Sequence, residues 1–427
     1  MPGLEETDDH LPLLTGAEAA KLLGTAVSHL GGELLDWSPT QVDHRPGRAT
    51  AASYRVRARW PDGERTELFG SRIATRPPKH SERAGLVTLF DGRYQVQVWQ
   101  LAADPELPGL GPLWNSRSVA ALLRSVGLNP AGLEVRMVSY RPCRRAVFEL
   151  VTSTGRLFAK VLRPADVAAV HHRLKITRTA GLPTPRSLGW SDEGILVLEA
   201  LPGAGLREVI RRDGAAACSP DELLELLDRL PGELAGLPRR RAWSEASTHY
   251  AGVIAAVAPG LGQRAHELAG RIESRFEPGD DGPTHGDFYE AQLLAGDGRI
   301  TGLLDVDTVG PGRRVDDLAC MLAHLSVMVT LEPHSGRQFE DALTQWGARF
   351  DRAVDPHQLR VAAGAVVLSL ATGPYRTQEP RWLDATEVRV ELAERWLYAA
   401  GPRDLPYLRD LSSEPPGRLT GDRETEK

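Results

Sequence analysis

One stretch constrains this chain more than any other. It is Thr284-His285-Gly286-Asp287-Phe288-Tyr289-Glu290-Ala291-Gln292-Leu293-Leu294, followed closely by Gly302-Leu303-Leu304-Asp305-Val306-Asp307. The second piece ends an apolar strand, Ile300 to Leu304, with carboxylates at its tip. The first sets His, Asp and Gln in a loop just before another apolar pair. Ala295-Gly296-Asp297-Gly298-Arg299 between them reads as a hairpin turn. Loops joined by so short a hairpin lie side by side, so Asp287, Gln292 and Asp305 converge on one pocket. Asp307 either joins them as a secondary metal contact or stays solvated. Carboxylate and amide oxygens gathered in this way suit a hard cation such as Mg²⁺.

Phosphoryl transfer is the chemistry that needs such an arrangement. One Asp orients the attacking hydroxyl and takes its proton, while a second Asp and an amide hold Mg²⁺ against the phosphates. The order His-Gly-Asp, four residues, an amide, a strand ending in Leu-Asp, then Asp316-Asp317-Leu318-Ala319 resembles the aminoglycoside phosphotransferase and choline kinase-like superfamily. The resemblance implies an α+β, two-lobed protein-kinase-like fold with a small β-rich N-lobe and a helical C-lobe. It implies Asp287 as catalytic base, Asp305 as the Mg²⁺ ligand, and Gln292 as metal ligand in the place usually taken by Asn. Its cofactors would be ATP and Mg²⁺. His285 is expected to brace the loop by hydrogen bonds. Asp317, just before the apolar run Leu318 to Leu322, reads as the N-cap of the next helix.

Upstream, Leu157-Phe158-Ala159-Lys160-Val161-Leu162 places a lysine in an apolar strand, where a buried ammonium without a partner is costly. It either snorkels to an edge or, as the resemblance implies, reaches the α and β phosphates. The turn Arg141 to Arg145 stands where kinases carry a Gly-rich loop, but holds no Gly-x-Gly-x-x-Gly. Arg144 and Arg145 either donate to phosphate oxygens or form a solvated basic turn. Asp166 to Ala180 is the expected following helix, and it has no Glu to pair with Lys160. The apolar strand ending in Glu199-Ala200-Leu201-Pro202-Gly203 resembles the family's hinge, whose backbone would hydrogen-bond adenine at Glu199, Ala200 and Leu201.

Domain organisation is read as follows. Residues 1–112 form a small α+β N-terminal domain, 113–202 the N-lobe, 203–402 the helical C-lobe and 403–427 a partly disordered tail. Thr15-Gly16-Ala17-Glu18 reads as a capping box. The Pro- and Gly-rich run Asp104 to Pro112 reads as a linker or long loop. The turns Arg45-Pro46-Gly47-Arg48 and Arg141-Pro142-Cys143-Arg144 raise an internal repeat, in which Leu68-Phe69-Gly70-Ser71 would answer Leu157-Phe158-Ala159-Lys160. On that reading the N-terminal domain is a degenerate N-lobe copy lacking the lysine.

The function classes narrow accordingly. A net charge of -6 argues against a general nucleic-acid binder, and three scattered cysteines against a zinc site or disulfide framework. The acidic start lacks the apolar core of a signal peptide, and no apolar run is long enough to span a bilayer. A cytoplasmic location fits, with no membrane partner. The main expectation is an ATP-dependent small-molecule kinase acting on a hydroxyl of a metabolite, sugar or antibiotic. The alternatives are a nucleotide-binding pseudokinase or interaction module, and a metal-dependent hydrolase. Trp346, Trp382 and Trp396 either stack on a sugar or pack in the core.

Overall fold

The computed structural model describes residues 10–74, 83–90, 94–277, 279, 281–332 and 334–400. The Asp91-Gly92 turn and the tail lie outside the described residues.

Two short helices, α1 (Leu11–Thr15) and α2 (Ala17–His29), open the chain and cover a five-stranded antiparallel sheet. Its strands are β1 (Glu33–Arg45), β2 (Ala49–Trp60), β3 (Gly63–Ala74), β4 (Leu86–Phe90) and β5 (Gln95–Gln100). Strand β2 shows why: Tyr54, Val56, Ala58 and Trp60 are buried, while Arg55, Arg57 and Arg59 between them are exposed, the two-residue period of a half-buried strand. The Tyr54 hydroxyl ties the sheet to the helices by donating to the Leu14 carbonyl at 2.8 Å. The expected capping box does not form. The Thr15 hydroxyl turns back to the Leu11 carbonyl and Gly16 caps α2 instead. Sequence patterning also gave no hint of β1, whose alternation is blurred by Pro39 and by irregular pairing between Pro39 and Gln41.

The chain then passes through α3 (Leu110–Leu113) and α4 (Ser116–Ser125) into a second antiparallel sheet: β6 (Glu134–Arg141), β7 (Arg145–Thr152), β8 (Gly155–Leu162), β9 (Ser187–Trp190) and β10 (Ile195–Glu199). Helix α5 (Pro164–Thr179) connects β8 to β9. The strand orders are β1-β2-β3-β5-β4 and β6-β7-β8-β10-β9, so the two sheets share one topology. Their turns correspond as well, with Arg45 opposite Ala49 and Arg141 opposite Arg145. Pairing corrects the residue match by one position. Lys160 sits between Val147 and Leu196, and the same place in the first sheet, between Ala51 and Gln97, is held by Arg72 rather than Ser71.

The segment read as a linker is a buried buckle between the two sheets. Leu107 and Leu110 are fully buried in the second sheet's core with Phe148, Val161 and Ile195. Asp104, also fully buried, accepts from the Tyr140 hydroxyl (2.8 Å) and from the Cys143 and Glu106 amides (both 2.9 Å). Glu106 pairs with Arg72 of the first sheet at 2.9 Å and with Arg163 beside the second at 3.7 Å. Pro and Gly signalled irregular backbone here, which is correct, but irregular backbone can be buried when its polar groups are satisfied.

The rest is helical, apart from short strands β11 (Ala204–Gly205), β12 (Gly282–Thr284), β13 (Leu293–Gly296), β14 (Arg299–Leu303) and β15 (Gly310–Gly312). Helices α6 (Leu206–Asp213), α7 (Pro220–Asp228), α8 (Ser247–Val257) and α9 (Pro259–Arg275) precede the key loops. Helices α10 (Arg314–Leu331), α11 (Gly336–Phe350), α12 (Pro356–Leu370), α13 (Gly373–Arg376) and α14 (Trp382–Ala399) follow them. Helices α10 and α12 are buried on most sides, and one core runs from α5 through α14. Trp346 and Trp396 lie wholly inside it, which removes the sugar-stacking reading for both. This is an α+β, two-lobed, protein-kinase-like fold in which the β-rich lobe meets the helical lobe at β10, preceded by a further α+β unit. Among the described residues no helix is long and apolar enough to cross a membrane.

Because Leu107 is core and not linker, Leu107→Ala should destabilise the protein by about 2–5 kcal/mol in chemical denaturation. A loss under about 0.5 kcal/mol, as for a surface site, would return the segment to a solvated connection.

Candidate active site

The hairpin read from the sequence exists. Strands β13 and β14 pair across Asp297 and Gly298, both with positive φ, and the Leu304 amide donates to the Gln292 carbonyl at 2.7 Å. That bond holds Gln292 beside the strand end that carries Asp305. Asp305 itself adopts the left-handed conformation (φ 52°) and turns the chain into one tight turn, Val306–Thr308. The reversal sends the carboxylates of residues 305 and 307 to the same place.

That place is Lys160. Its Nζ lies 2.6 Å from Asp305 Oδ1 and 2.6 Å from Asp307 Oδ2, while Arg145 Nη1 donates to Asp305 Oδ2 at 2.9 Å. The lysine side chain is 9% exposed, so it does not snorkel. The absence of a Glu on α5 is explained, since the loop after β14 supplies the counter-charge. Burial works against ionisation of Asp305, yet Lys160 and Arg145 hold its carboxyl well below the usual range. Burial likewise opposes the charge on Lys160, and Asp307 with Asp305 raises it above the ordinary value. Asp307 is not the solvated residue of one reading; it is the second partner of the lysine. A lysine in an apolar strand demanded a carboxylate, which was the available signal, but its location was not encoded locally.

The loop carrying Asp287 is fixed from three sides. Asp317 accepts from the His285 amide at 2.7 Å and from the Gly286 amide at 2.8 Å. His285 Nε2 donates to the Leu304 carbonyl at 2.9 Å, joining this loop to the strand before Asp305. Thr308 Oγ1 donates to the His285 carbonyl at 2.8 Å. Gly286 is required here: its φ is 79°, and a Cβ would stand 2.9 Å from the Thr308 carbonyl oxygen. Asp317 is not the expected N-cap. Helix α10 begins at Arg314, one turn earlier than the apolar run indicated, and Asp317 in its first turn braces the loop instead.

Asp287 is left with weak partners. Gln292 Nε2 donates to its Oδ2 at 3.4 Å, the Cys320 thiol donates to its Oδ1 at 4.0 Å, and among the described residues it forms no ion pair. Burial, reinforced by Asp305, pushes its carboxyl up to about 6, with Arg145 pulling the other way. With its nitrogen turned to Asp287, Gln292 has no hydrogen bond at Oε1 among the described residues. Below the loop, Tyr289 stacks on His324 with ring centroids 3.8 Å apart, and burial holds the His324 imidazole neutral by lowering it to about 3.

At the hinge, the Glu199 amide already donates to the Arg186 carbonyl at 3.0 Å, so it is not available to a base. The backbone groups of Ala200 and Leu201 carry no hydrogen bond to described residues. Arg173 on α5 reaches the Val309 carbonyl at 3.1 Å and ties that helix to the loop following Asp307. Nothing in the sequence pointed to it.

Residues 144–360 match the sequence profile of the phosphotransferase enzyme family. The chain belongs to this family. It is a phosphotransferase, of the class that acts on hydroxyl groups. A search of curated proteins finds no match. Among solved structures it is similar to an aminoglycoside phosphotransferase, APH(3'')-Id, from Streptomyces rimosus (21% identity over 60% of this chain and 98% of that one, TM-score 0.42). It is also similar to a choline/ethanolamine kinase family protein from Mesorhizobium loti (18%, 66% and 93%, TM-score 0.47). A third is an APH(4)-Ia aminoglycoside phosphotransferase in complex with AMP-PNP and hygromycin B (14%, 64% and 95%, TM-score 0.47).

Asp317→Ala would orphan the buried His285 amide, at a cost of roughly 1–3 kcal/mol, and release the more exposed Gly286 amide. The phosphotransferase variant should therefore show a lowered unfolding midpoint and faster hydrogen exchange at His285 and Gly286. Unchanged exchange at those amides would show that the loop holds itself.

Proposed function

We propose that this phosphotransferase transfers the γ-phosphate of Mg·ATP to a hydroxyl of a small molecule. The observation that carries the proposal is Asp287: a half-buried carboxylate, free of ion pairs among the described residues, on a loop tied to the strand end that carries Asp305. A base must be strong enough to take a proton and yet ionised at working pH, and a pKa near 6 meets both conditions.

In this reading Asp287 accepts a hydrogen bond from the acceptor hydroxyl, orients it for in-line attack and takes its proton. Lys160 is held protonated by Asp305 and Asp307 and donates to the phosphate chain. Arg145 lies beside it in the β6–β7 turn and offers further donors. The backbone of Ala200 and Leu201 would receive the adenine, while the Glu199 amide serves the fold. His285 and Asp317 act on the loop and not on substrate. Among the described residues no three His, Cys, Asp or Glu side chains gather as a metal cage. Asp305 with Gln292 Oε1 fits a cation that draws its other ligands from phosphate and water, as Mg²⁺ does. Bound there, Mg²⁺ would neutralise charge on the transferring phosphates.

A second reading, a nucleotide-binding pseudokinase, draws on two departures: helix α5 gives Lys160 no Glu, and Gln replaces Asn at 292. ADP release separates it from the first.

Thermal stability with ATP, with and without Mg²⁺, should rise by mass action in the wild type, and the Mg²⁺-dependent part should vanish in Asp305→Ala. No shift at millimolar nucleotide would remove the nucleotide site. Asp287→Ala should cut transfer by about 10²–10⁴-fold while leaving the nucleotide shift intact; unchanged turnover would exclude it as base. Because the ionised form is required, kcat/KM should reach its plateau only well above pH 6 and fall as pH drops through about 6. A flat profile down to pH 5 would contradict the assignment.

A further inference from the structure

Arg141 ends β6, Arg145 opens β7, and Arg144 lies in the turn between them. Arg145 is paired with Asp305. Arg141 and Arg144 share a single carboxylate, Asp43 of β1, at 3.6 and 3.2 Å, and Arg45 also lies 3.8 Å from it. One carboxylate for three guanidinium groups leaves the place positive.

Two more arginines come from the helical lobe. Arg376 ends α13, which packs on β1, and the neighbouring Tyr375 rests against the N-terminal core. Arg241 lies in the segment before α8, two residues from Trp243, whose ring is 6.1 Å from that of Tyr250. Among the described residues neither Arg241 nor Arg376 forms an ion pair. Their fields meet at one point: burial raises the Tyr250 phenol, with Asp287 acting in the same direction and Arg241, Arg144 and Arg376 against it. Arg141 is lowered by burial first and by Arg376 next, and it also feels Asp287. Arg141 pairs across the turn with Arg145, which is bound to Asp305, and α13 packs on the strand that carries Asp43, so the arginines of the turn and Arg376 gather where the first sheet meets the helical lobe.

Arg141, Arg144 and Arg376 are half-buried and Arg241 is exposed beside them; half-buried guanidinium groups without enough counter-charge are costly, and planar donors of this kind match carboxylate and phosphate oxygens. We propose that the acceptor is an anionic alcohol, whose phosphate or carboxylate is held by Arg141, Arg144, Arg241 and Arg376 while its hydroxyl meets Asp287. This rests on the phosphotransferase reading above and adds the substrate class to it. The rival is that these arginines serve only the phosphates of the nucleotide.

The test fills the nucleotide site first. With Mg·AMP-PNP saturating and ionic strength matched, glycerol, glycerate, glycerol 3-phosphate and the cationic 2-amino-1,3-propanediol are titrated and the melting point followed. The anionic members should bind at least about ten-fold more tightly than glycerol, the worth of one charge-assisted hydrogen bond, and the cation no better than glycerol. Comparing glycerate with glycerol 3-phosphate tells carboxylate from phosphate. In the double variant Arg241→Gln, Arg376→Gln the preference should fall about ten-fold while the response to Mg·AMP-PNP stays that of the wild type. Arg241→Lys, Arg376→Lys should keep part of it, which guards against misfolding. Equal binding of all four alcohols overturns the proposal. So does a double variant that loses Mg·AMP-PNP as severely as the anions, since the arginines would then belong to the nucleotide. Failure of Mg·AMP-PNP itself to stabilise the wild type is a different result: it removes the nucleotide site, and the acceptor class with it.

Discussion

The buried contact of Lys160 with Asp305 and Asp307 is the constraint on which the rest depends. It joins the sheet of the small lobe to the catalytic loops of the helical lobe, across 145 residues of chain in the case of Asp305. An ion pair at such depth is tolerated only when every charge has partners of good geometry. Here two cations, Lys160 and Arg145, face two carboxylates, so the cluster is balanced. It also explains how a lysine strand can stand without a glutamate on α5. The same groups are those that phosphates and a cation would engage, so nucleotide binding would rearrange contacts that already exist. The lobes are thereby held together at the place where the chemistry would occur.

Around this cluster the fold repeats a single solution for position. Asp317, His285, Thr308 and Gly286 fix one loop by backbone bonds, and Arg173 fixes the next through the Val309 carbonyl. Asp287 is the exception. It is half-buried, weakly bonded and raised in pKa, the condition that the proposed proton transfer would need. Asp305, pushed down by cations, and Asp287, pushed up by burial, contrast as the proposed electrostatic and basic roles would require.

The N-terminal unit is more than an appendage. Its sheet has the strand order of the second sheet, and the Asp104–Glu106 segment locks the two together through Tyr140, Cys143, Arg72 and Arg163. Arg72 occupies the position of Lys160, but it meets Glu106 and no catalytic loop. With β1 packed on α13, the first sheet places Asp43 next to the arginine turn. A unit outside the matched family span therefore contributes a carboxylate to the charge around that turn.

Local order was legible in the sequence wherever chemistry and spacing act within a few residues. The hairpin at Asp297-Gly298 put Gln292 next to Asp305, and His285-Gly286-Asp287 needed a glycine for its positive φ. The apolar run gave β8, and the helix expected over Asp166 to Ala180 is α5, Pro164–Thr179. Three features were decided only in three dimensions. Pro and Gly in residues 104–112 mark irregular backbone but not burial, which depended on a core waiting for Leu107 and Leu110. The helix start at Arg314, and with it the reassignment of Asp317, followed from a loop 31 residues away that offered two amides. The partner of Lys160 and the crowding of arginines near Asp287 arise from segments distant in sequence. The sequence by itself determined the reacting groups and their order, because those are set by residue type and short spacing. Which charges face each other was decided by tertiary packing, because Coulomb interactions follow distance in space and not along the chain.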